Sequence, residues 1–152
     1  MKNQKIIFLL LFILILFPIP LVSSPGDVTI IFSNYDLSNT IFMNKIAVQR
    51  IFTRKDIRWS NGDSITVFIK PMESIENRMF IADILNMTLY RYQKSLETAT
   101  YTGKANSVIE VPDDAHMHTA IDAHPGAIGY LNYEIVTHDK IIIICEDDGN
   151  CI

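Results

Sequence analysis

The segment "AIDAHPGAIGYLNYE", Ala120–Glu134, carries the clearest fold signal in this chain of 152 residues. Apolar residues at helical spacing lead up to His124, and Pro125 cannot continue a helix, so a helix is expected to end here. Gly126 relaxes the turn, and the apolar run Ala127–Leu131 that follows is typical of a buried strand. A helix that leads at once into a buried strand predicts an α/β arrangement.

The same alternation of strand and helix patterns extends along the chain. Continuous apolar runs predict further strands at Val28–Phe32, Ile65–Ile69, Ser107–Val111 and Ile141–Cys145. Helical spacing predicts four helices. The first begins near Asn44, the second near Ser74, and the fourth at Asp113 or Asp114. The third contains Leu89, Tyr92 and Leu96. Strands without polar alternation are typical of a sheet covered by helices on both faces. Gly129, inside a strand, permits the close approach of another backbone or of a ligand.

The N-terminal residues 1–23 have the pattern of a secretory signal peptide. A start with two lysines precedes the apolar run Ile6–Phe17, and the small residues Ser23 and Ser24 follow it. The apolar run is shorter than the roughly 20 residues of a membrane-spanning helix. We therefore expect an exported, periplasmic protein cleaved near Ser23 or Ser24. Pro25 is a poor residue after a cleavage site, so an uncleaved membrane anchor stays open as the alternative.

The rest of the chain has the size of one domain, assigned to residues 25–145, with 146–152 as a C-terminal tail. The net charge of the whole chain is −4, and removal of the lysine-containing signal would make it more acidic. An acidic domain argues against nucleic acid as a partner. A small anion remains compatible, because backbone N–H groups bind anions whatever the net charge.

The two cysteines, Cys145 and Cys151, both lie in the tail sequence "CEDDGNC". In an exported protein such a pair favours a disulfide, and the turn-forming residues 147–150 between them can bring the sulfur atoms together. Two free thiols near the terminus are the alternative. Two cysteines are too few ligands for a metal site.

Motifs for catalysis, cofactors or metals are not found in the sequence. It contains no Gly-x-Ser-x-Gly elbow, Walker loop or His-Glu-x-x-His motif, so we predict neither an enzyme nor a cofactor. His116 and His118 are two apart on a predicted helix and point in different directions, so no metal site is predicted there. His118 and Asp122 are four apart, which allows them to pair.

A basic cluster lies at the end of the first predicted helix, and a tryptophan follows it. The cluster is interpreted as a solvated helix end favoured by the helix dipole, with a partner-binding patch as the alternative. Trp59 is interpreted as a buried turn anchor rather than a ligand-stacking residue. The cluster consists of Arg50, Arg54, Lys55 and Arg58.

Several segments in series resemble the phosphate ABC-transporter substrate-binding proteins. "HPGAIGYL" (124–131) is similar to the late helix–strand unit of that family. "NKIAVQRIFTRKDIRWSNG" (44–62) resembles a helix that ends in Ile-Phe before Gly-Lys and Trp-Ser/Asn-Gly turns, with Arg54 where the glycine is usual. "ATYTGKA" (99–105) resembles an aromatic-Thr-Gly step.

The resemblance implies a single lobe of the type 2 periplasmic-binding-protein fold, with a mixed sheet flanked by helices. It also implies an exported protein that binds phosphate or a related oxyanion and serves an ABC permease. Full-length members of the family have two lobes, and this chain has room for one. An accessory or interaction protein that contacts another exported protein, and reuses the lobe without ligand binding, is the alternative.

The same resemblance indicates an anion site in "IKPMESIENRMF" (69–80). Family members carry an arginine and then an acidic-Gly-Ser-Gly-Thr-Arg run that opens a helix, where N–H donors meet the oxyanion. Lys70 stands in the arginine position and Ser74 matches the serine, whereas Ile75 and Glu76 replace the second glycine and the threonine. The alternative is an ordinary helix start with Ser74 as its N-cap.

Ser33 and Asn34 are further candidates for ligand binding. They follow the first predicted strand, and ligands of α/β sheets often lie beyond the carboxyl ends of strands. A plain loop turn is the alternative for this pair.

Overall fold

The computed structural model describes residues 29–33, 41–132 and 141–145, and this part of the chain forms a mixed α/β fold. The strands are β1 (Thr29–Ser33), β2 (Ile41–Asn44), β3 (Thr66–Ile69), β4 (Val108–Glu110), β5 (Ala127–Asn132) and β6 (Ile141–Cys145). The helices are α1 (Lys45–Phe52), α2 (Ile75–Met79), α3 (Leu89–Tyr101) and α4 (Asp114–Ala123). A π-helical segment, Phe80–Ile84, continues α2, and a 3-10 turn, Ala105–Ser107, precedes β4.

The described strands form one sheet in the order β2-β6-β1-β5-β3-β4. β2 runs parallel to β6, and β3 runs parallel to both β4 and β5. β1 is antiparallel to its two neighbours, β5 and β6, so it runs against the other five strands. We call the edge where those five strands end the carboxyl edge, and the opposite edge the amino edge. β1 therefore ends at the amino edge.

The two faces of the sheet are both covered, as the apolar strand patterns predicted. On one face, Val67 and Ile69 of β3 pack in a cluster with residues of α1, α3 and the π-helical segment. On the other face, Phe68 packs with Met117 and Ile121 of α4. Successive strand residues point to opposite faces, so one short strand contributes to both halves of the core.

Four helices in the described part of the chain begin at side-chain caps, and three of these starts were predicted from the sequence, whereas the start of α3 at Thr88 was not. In each case the side-chain oxygen accepts from the backbone N–H three residues later, which satisfies a donor that has no partner within the helix. These caps are Asn44 for α1, Ser74 for α2, Thr88 for α3 and Asp113 for α4.

The junction between α4 and β5 has the predicted form. α4 ends at Ala123, and Gly126 (φ +74°) lies against the Ser64 carbonyl oxygen, where a Cβ atom would come within 2.7 Å. Trp59 is buried, and its Nε1 donates to the Gly126 carbonyl at 2.9 Å, which confirms the turn anchor. At Gly129 a Cβ atom would meet Met117 Sδ at 2.5 Å, so this glycine admits helix α4 rather than a ligand.

The burial of Arg54 contradicts the prediction that the basic cluster is a solvated helix end. Its side chain is buried, its backbone is left-handed (φ +60°), and its Nε donates to the Lys104 carbonyl at 3.0 Å. Lys104 follows the carbonyl end of α3, where a cation is favoured by the helix dipole. Burial lowers the pKa of the Arg54 guanidinium. Arg50, from the same cluster, stays exposed and forms a two-bond ion pair with Asp56.

Several predictions concern residues outside the described part of the chain. The signal peptide at 1–23, Asn34 and the tail at 146–152 with Cys151 belong to this group. The Cys145–Cys151 disulfide therefore stays a prediction. Within the described ranges, none of the helices has both the length and the apolar character that a membrane span requires.

Candidate functional site

The segment from Lys70 to Asn77, called here the Lys70 loop, follows β3 at the carboxyl edge and includes the first residues of α2. The loop turns back on itself, because the Ser74 N–H donates to the Pro71 carbonyl at 2.8 Å. Ser74 Oγ accepts from the Asn77 N–H at 3.1 Å. The N–H groups of Ile75 and Glu76 lie in the first helical turn, where no helix carbonyl is available to them. These groups are the donors that an anion at this edge would meet.

Tyr130, on β5, holds the Lys70 loop in position. Its hydroxyl accepts from the Lys70 N–H at 3.0 Å and donates to Asn77 Oδ1 at 2.6 Å. The Asn77 amide in turn donates to the Met72 carbonyl at 3.0 Å. Burial raises the pKa of Tyr130 well above its ordinary value, so the hydroxyl stays a donor. Sequence analysis missed this role, because Tyr130 looked like one more apolar strand residue.

The side chain of Lys70 forms an ion pair with a carboxylate of the same chain. Its Nζ lies 2.5 Å from Asp114 Oδ1, at the start of α4, and only 8% of its side chain is exposed. A second contact ties the loop to the neighbouring strand, because the Met72 N–H donates to Glu110 Oε2 at 3.1 Å. β3 and β4 are parallel, so the segments that follow them meet at the same edge. An oxyanion at Lys70 therefore has to share the ammonium with Asp114.

The remaining charges near the loop are on the surface. Glu76, in the first turn of α2, is exposed. Arg78 forms an ion pair with Glu73, and both side chains are more than half exposed. The exposed carboxylate of Glu76 disfavours an anion in the first turn of α2.

The structure does not bring Ser33 together with Lys70 and Ser74. Ser33 ends β1 at the amino edge, where its Oγ donates to the Ala127 carbonyl at 2.7 Å. It pairs with Ile128 of β5, which pairs with Val67, three residues before Lys70. At about 3.3 Å per residue, Ser33 and Lys70 are displaced by roughly 10 Å along the strands. The carboxyl end of β1 lies at the amino edge, away from the Lys70 loop, because β1 runs in the opposite direction to the other described strands.

The histidines of α4 contact acids of the same helix. His118 Nδ1 lies 3.2 Å from Asp122, which confirms the pairing allowed by their spacing. His116 contacts Asp113, the N-cap, at 2.8 Å. Within residues 29–33, 41–132 and 141–145, no group of three or more His, Cys, Asp or Glu residues could hold a metal ion.

Solved structures with this arrangement of strands and helices include several phosphate-transport proteins. An ABC-type phosphate transport receptor from Vibrio cholerae matches with a TM-score of 0.59 and 12% identity, over 83% of this chain and 48% of the receptor. A phosphate ABC-transporter substrate-binding protein from Clostridium perfringens, with bound phosphate, matches with a TM-score of 0.60 and 13% identity, over 82% of this chain and 46% of that protein. The PstS protein from Borrelia burgdorferi matches with a TM-score of 0.58 and 14% identity, over 82% and 49%.

The described chain has the fold of these phosphate-transport proteins. It spans about half the length of each of them. The resemblance first drawn from sequence motifs is thereby confirmed at the level of the fold. No protein-family model matches the sequence, and no curated protein sequence matches it.

Proposed function

We propose that this chain is an exported, non-catalytic solute-binding lobe that takes phosphate or a related oxyanion at the Lys70 loop and serves an ABC permease. The observation that carries the proposal is the helix start at Ser74. A hydroxyl and the open N–H groups of Ile75 and Glu76 lie together beyond the carboxyl end of β3. Such groups bind oxyanions, and the fold is shared with a protein that holds phosphate.

The chemistry of the loop predicts weak binding. Asp114 neutralises Lys70, Glu76 repels an anion, and one lobe leaves a ligand exposed to water. We expect an affinity no tighter than roughly micromolar for the isolated chain, about −8 kcal/mol.

Calorimetric titration with phosphate and with sulfate tests the proposal. Ser74→Ala should weaken phosphate binding, and Glu76→Thr should strengthen it because it removes the repelling charge. Thr88→Ala is the matched control, since it removes the N-cap of α3 and leaves the Lys70 loop intact. No heat of binding with any variant, or equal effects of Ser74→Ala and Thr88→Ala, would refute the oxyanion site.

A second candidate function is favoured by the Lys70–Asp114 ion pair. A lobe whose key cation is neutralised internally suits an accessory protein that contacts other exported proteins without a ligand. N-terminal sequencing of protein extracted from cells tests the export that both functions require. A start near Ser24 supports it, and an intact Met1 in the membrane fraction indicates an anchor instead.

A further inference from the structure

A separate cavity of about 370 Å³ lies beside the single tryptophan of the chain. We call it the Trp59 pocket. It is formed by the end of β2, by α1 and by the loop that leads into β3, and it shares no residue with the Lys70 loop. Its volume lies within the roughly 300–1,000 Å³ typical of small-molecule sites. The lining residues are Met43, Ala47, Ile51, Asp56, Arg58, Trp59, Ser60 and Ile65.

The walls of the Trp59 pocket are mainly apolar. Ile51, Trp59 and Ile65 are buried members of the main core cluster, and Met43 packs against that cluster. The Trp59 Nε1 points to the Gly126 carbonyl, so its polar atom is already bonded within the protein. These walls suit the hydrocarbon or aromatic body of a ligand, whose burial is favoured by the hydrophobic effect.

The two charged lining residues differ in what they offer to a ligand. Both carboxylate oxygens of Asp56 accept from Arg50, at 2.6 and 2.7 Å, and this contact holds the pKa of Asp56 below its ordinary value. Arg58 is exposed, and a single N–H group, on Nη1, donates to the Gly62 carbonyl at 2.8 Å. In the described part of the chain, Arg58 has no acidic partner. The cavity therefore presents a cation with open donors and an acid that is already neutralised.

We propose that the Trp59 pocket binds a small amphipathic carboxylate, whose apolar body lies against Ile51 and Trp59 and whose carboxylate is bound by Arg58. Charge complementarity selects this class over an amine, because Asp56 is saturated by Arg50. It also selects the acid over the matching alcohol, since a guanidinium bonds a carboxylate more strongly than a neutral hydroxyl.

Intrinsic fluorescence gives a direct test, because Trp59 is the single tryptophan and lines the cavity. The purified chain is titrated with 4-phenylbutyrate, 4-phenylbutan-1-ol and 4-phenylbutylamine. We expect a saturable change with the acid, at an affinity about tenfold higher than that of the alcohol, and the weakest binding for the amine.

Three variants assign the binding to the proposed groups. Arg58→Gln should lower the affinity for the acid about tenfold, to that of the alcohol, and leave the alcohol unchanged. Arg91→Gln, on the exposed surface of α3, makes the same charge change away from the cavity and should alter nothing. Ala47→Phe fills the cavity and should weaken both ligands, which tests the apolar wall if Arg58→Gln folds poorly.

Four results would overturn the proposal. These are the absence of a saturable fluorescence change with any probe, equal affinities for acid and alcohol, a preference for the amine, and an equal response to Arg58→Gln and Arg91→Gln. Arg58 lines the Trp59 pocket and does not belong to the Lys70 loop, so the effect of Arg58→Gln distinguishes binding in the pocket from binding of the carboxylate at that loop.

Discussion

Lys70 and Asp114 form an ion pair, 2.5 Å from Nζ to Oδ1, where the parallel strands β3 and β4 end. Asp114 is the first residue of α4 and follows the N-cap Asp113, so a regular helix holds the carboxylate in place. The chain thus supplies its own anion beside the lysine that the family resemblance assigns to an oxyanion. An oxyanion at the proposed site would compete with Asp114 for Lys70.

Replacement of Asp114 by asparagine should separate the stability of the fold from ligand affinity. Lys70 keeps its charge in a largely buried position but loses its partner, so we expect the free energy of unfolding to fall by about 1–2 kcal/mol. Phosphate affinity should rise several-fold, because the competing carboxylate is gone. Urea unfolding and calorimetry measure the two effects.

Glu97→Gln is the control for this variant. Its partner is Lys94, and both side chains are more than half exposed, so the expected loss is below about 0.5 kcal/mol. A loss in Asp114→Asn with no gain in phosphate affinity would show that Lys70 does not contact the ligand.

The hydroxyl groups of Tyr130 and Tyr92 should differ sharply in their contribution to stability. Both side chains are buried, but the Tyr130 hydroxyl bonds two groups of the Lys70 loop, whereas the Tyr92 hydroxyl has no hydrogen-bond partner among the described residues. Tyr130→Phe should cost about 2 kcal/mol, since it leaves a buried amide oxygen unsatisfied. Tyr92→Phe should change stability by less than about 0.5 kcal/mol or raise it. Similar losses in the two variants, measured by chemical denaturation, would argue against the Tyr130 network.

Because the backbone at Arg54 is left-handed, the Arg54→Gly variant should be more stable than the Arg54→Ala variant. Both Arg54→Gly and Arg54→Ala lose the bond from Nε to the Lys104 carbonyl, so this loss cancels in the comparison. At φ +60° an alanine Cβ is strained, and the alanine variant should be less stable by about 1 kcal/mol. Thermal unfolding of the pair measures the difference. Asn86, at φ +48°, provides a second site at which the same order is expected.

The ionised carboxylate of Asp113 should stabilise the folded chain, and this stabilisation should be lost in acid. The backbone N–H of His116 donates to the Asp113 carboxylate, and the His116 ring also contacts it. The backbone bond first, and then the ring contact, lower the pKa of Asp113 from its ordinary value of 3.8. A lowered pKa in the folded state means that the stabilisation is complete above pH 3.8 and is lost as the pH falls through the lower folded value. Asp113→Asn keeps an N-cap acceptor that does not titrate in this range. Its unfolding free energy should therefore decline less below pH 4 than that of the parent chain. Parallel curves for the two proteins would contradict the assignment.

Local patterns determined most of the secondary structure. A capping side chain and a helical apolar stripe act within a few residues, and α1, α2 and α4 begin after Asn44, Ser74 and Asp113, where helix starts were predicted. The strand Ile141–Cys145 was predicted with its observed limits, because a continuous apolar run of this length is typical of a strand. β2, by contrast, was missed, since its four residues lead directly into α1 and their pairing partner is the distant β6.

The arrangement of the site was decided by the tertiary structure. The residues of β1 do not determine the direction of this strand in the sheet. Its direction is set by pairing with β5 and β6, and as a result Ser33 lies at the amino edge. Hydrogen bonding between Tyr130 and Asn77 and the Lys70–Asp114 contact likewise join residues that are remote in sequence. Sequence alone determined which segments become strands and helices, because those preferences are local. Only the sheet pairing decided which polar side chains meet, because contacts between distant residues depend on how the strands are ordered and directed.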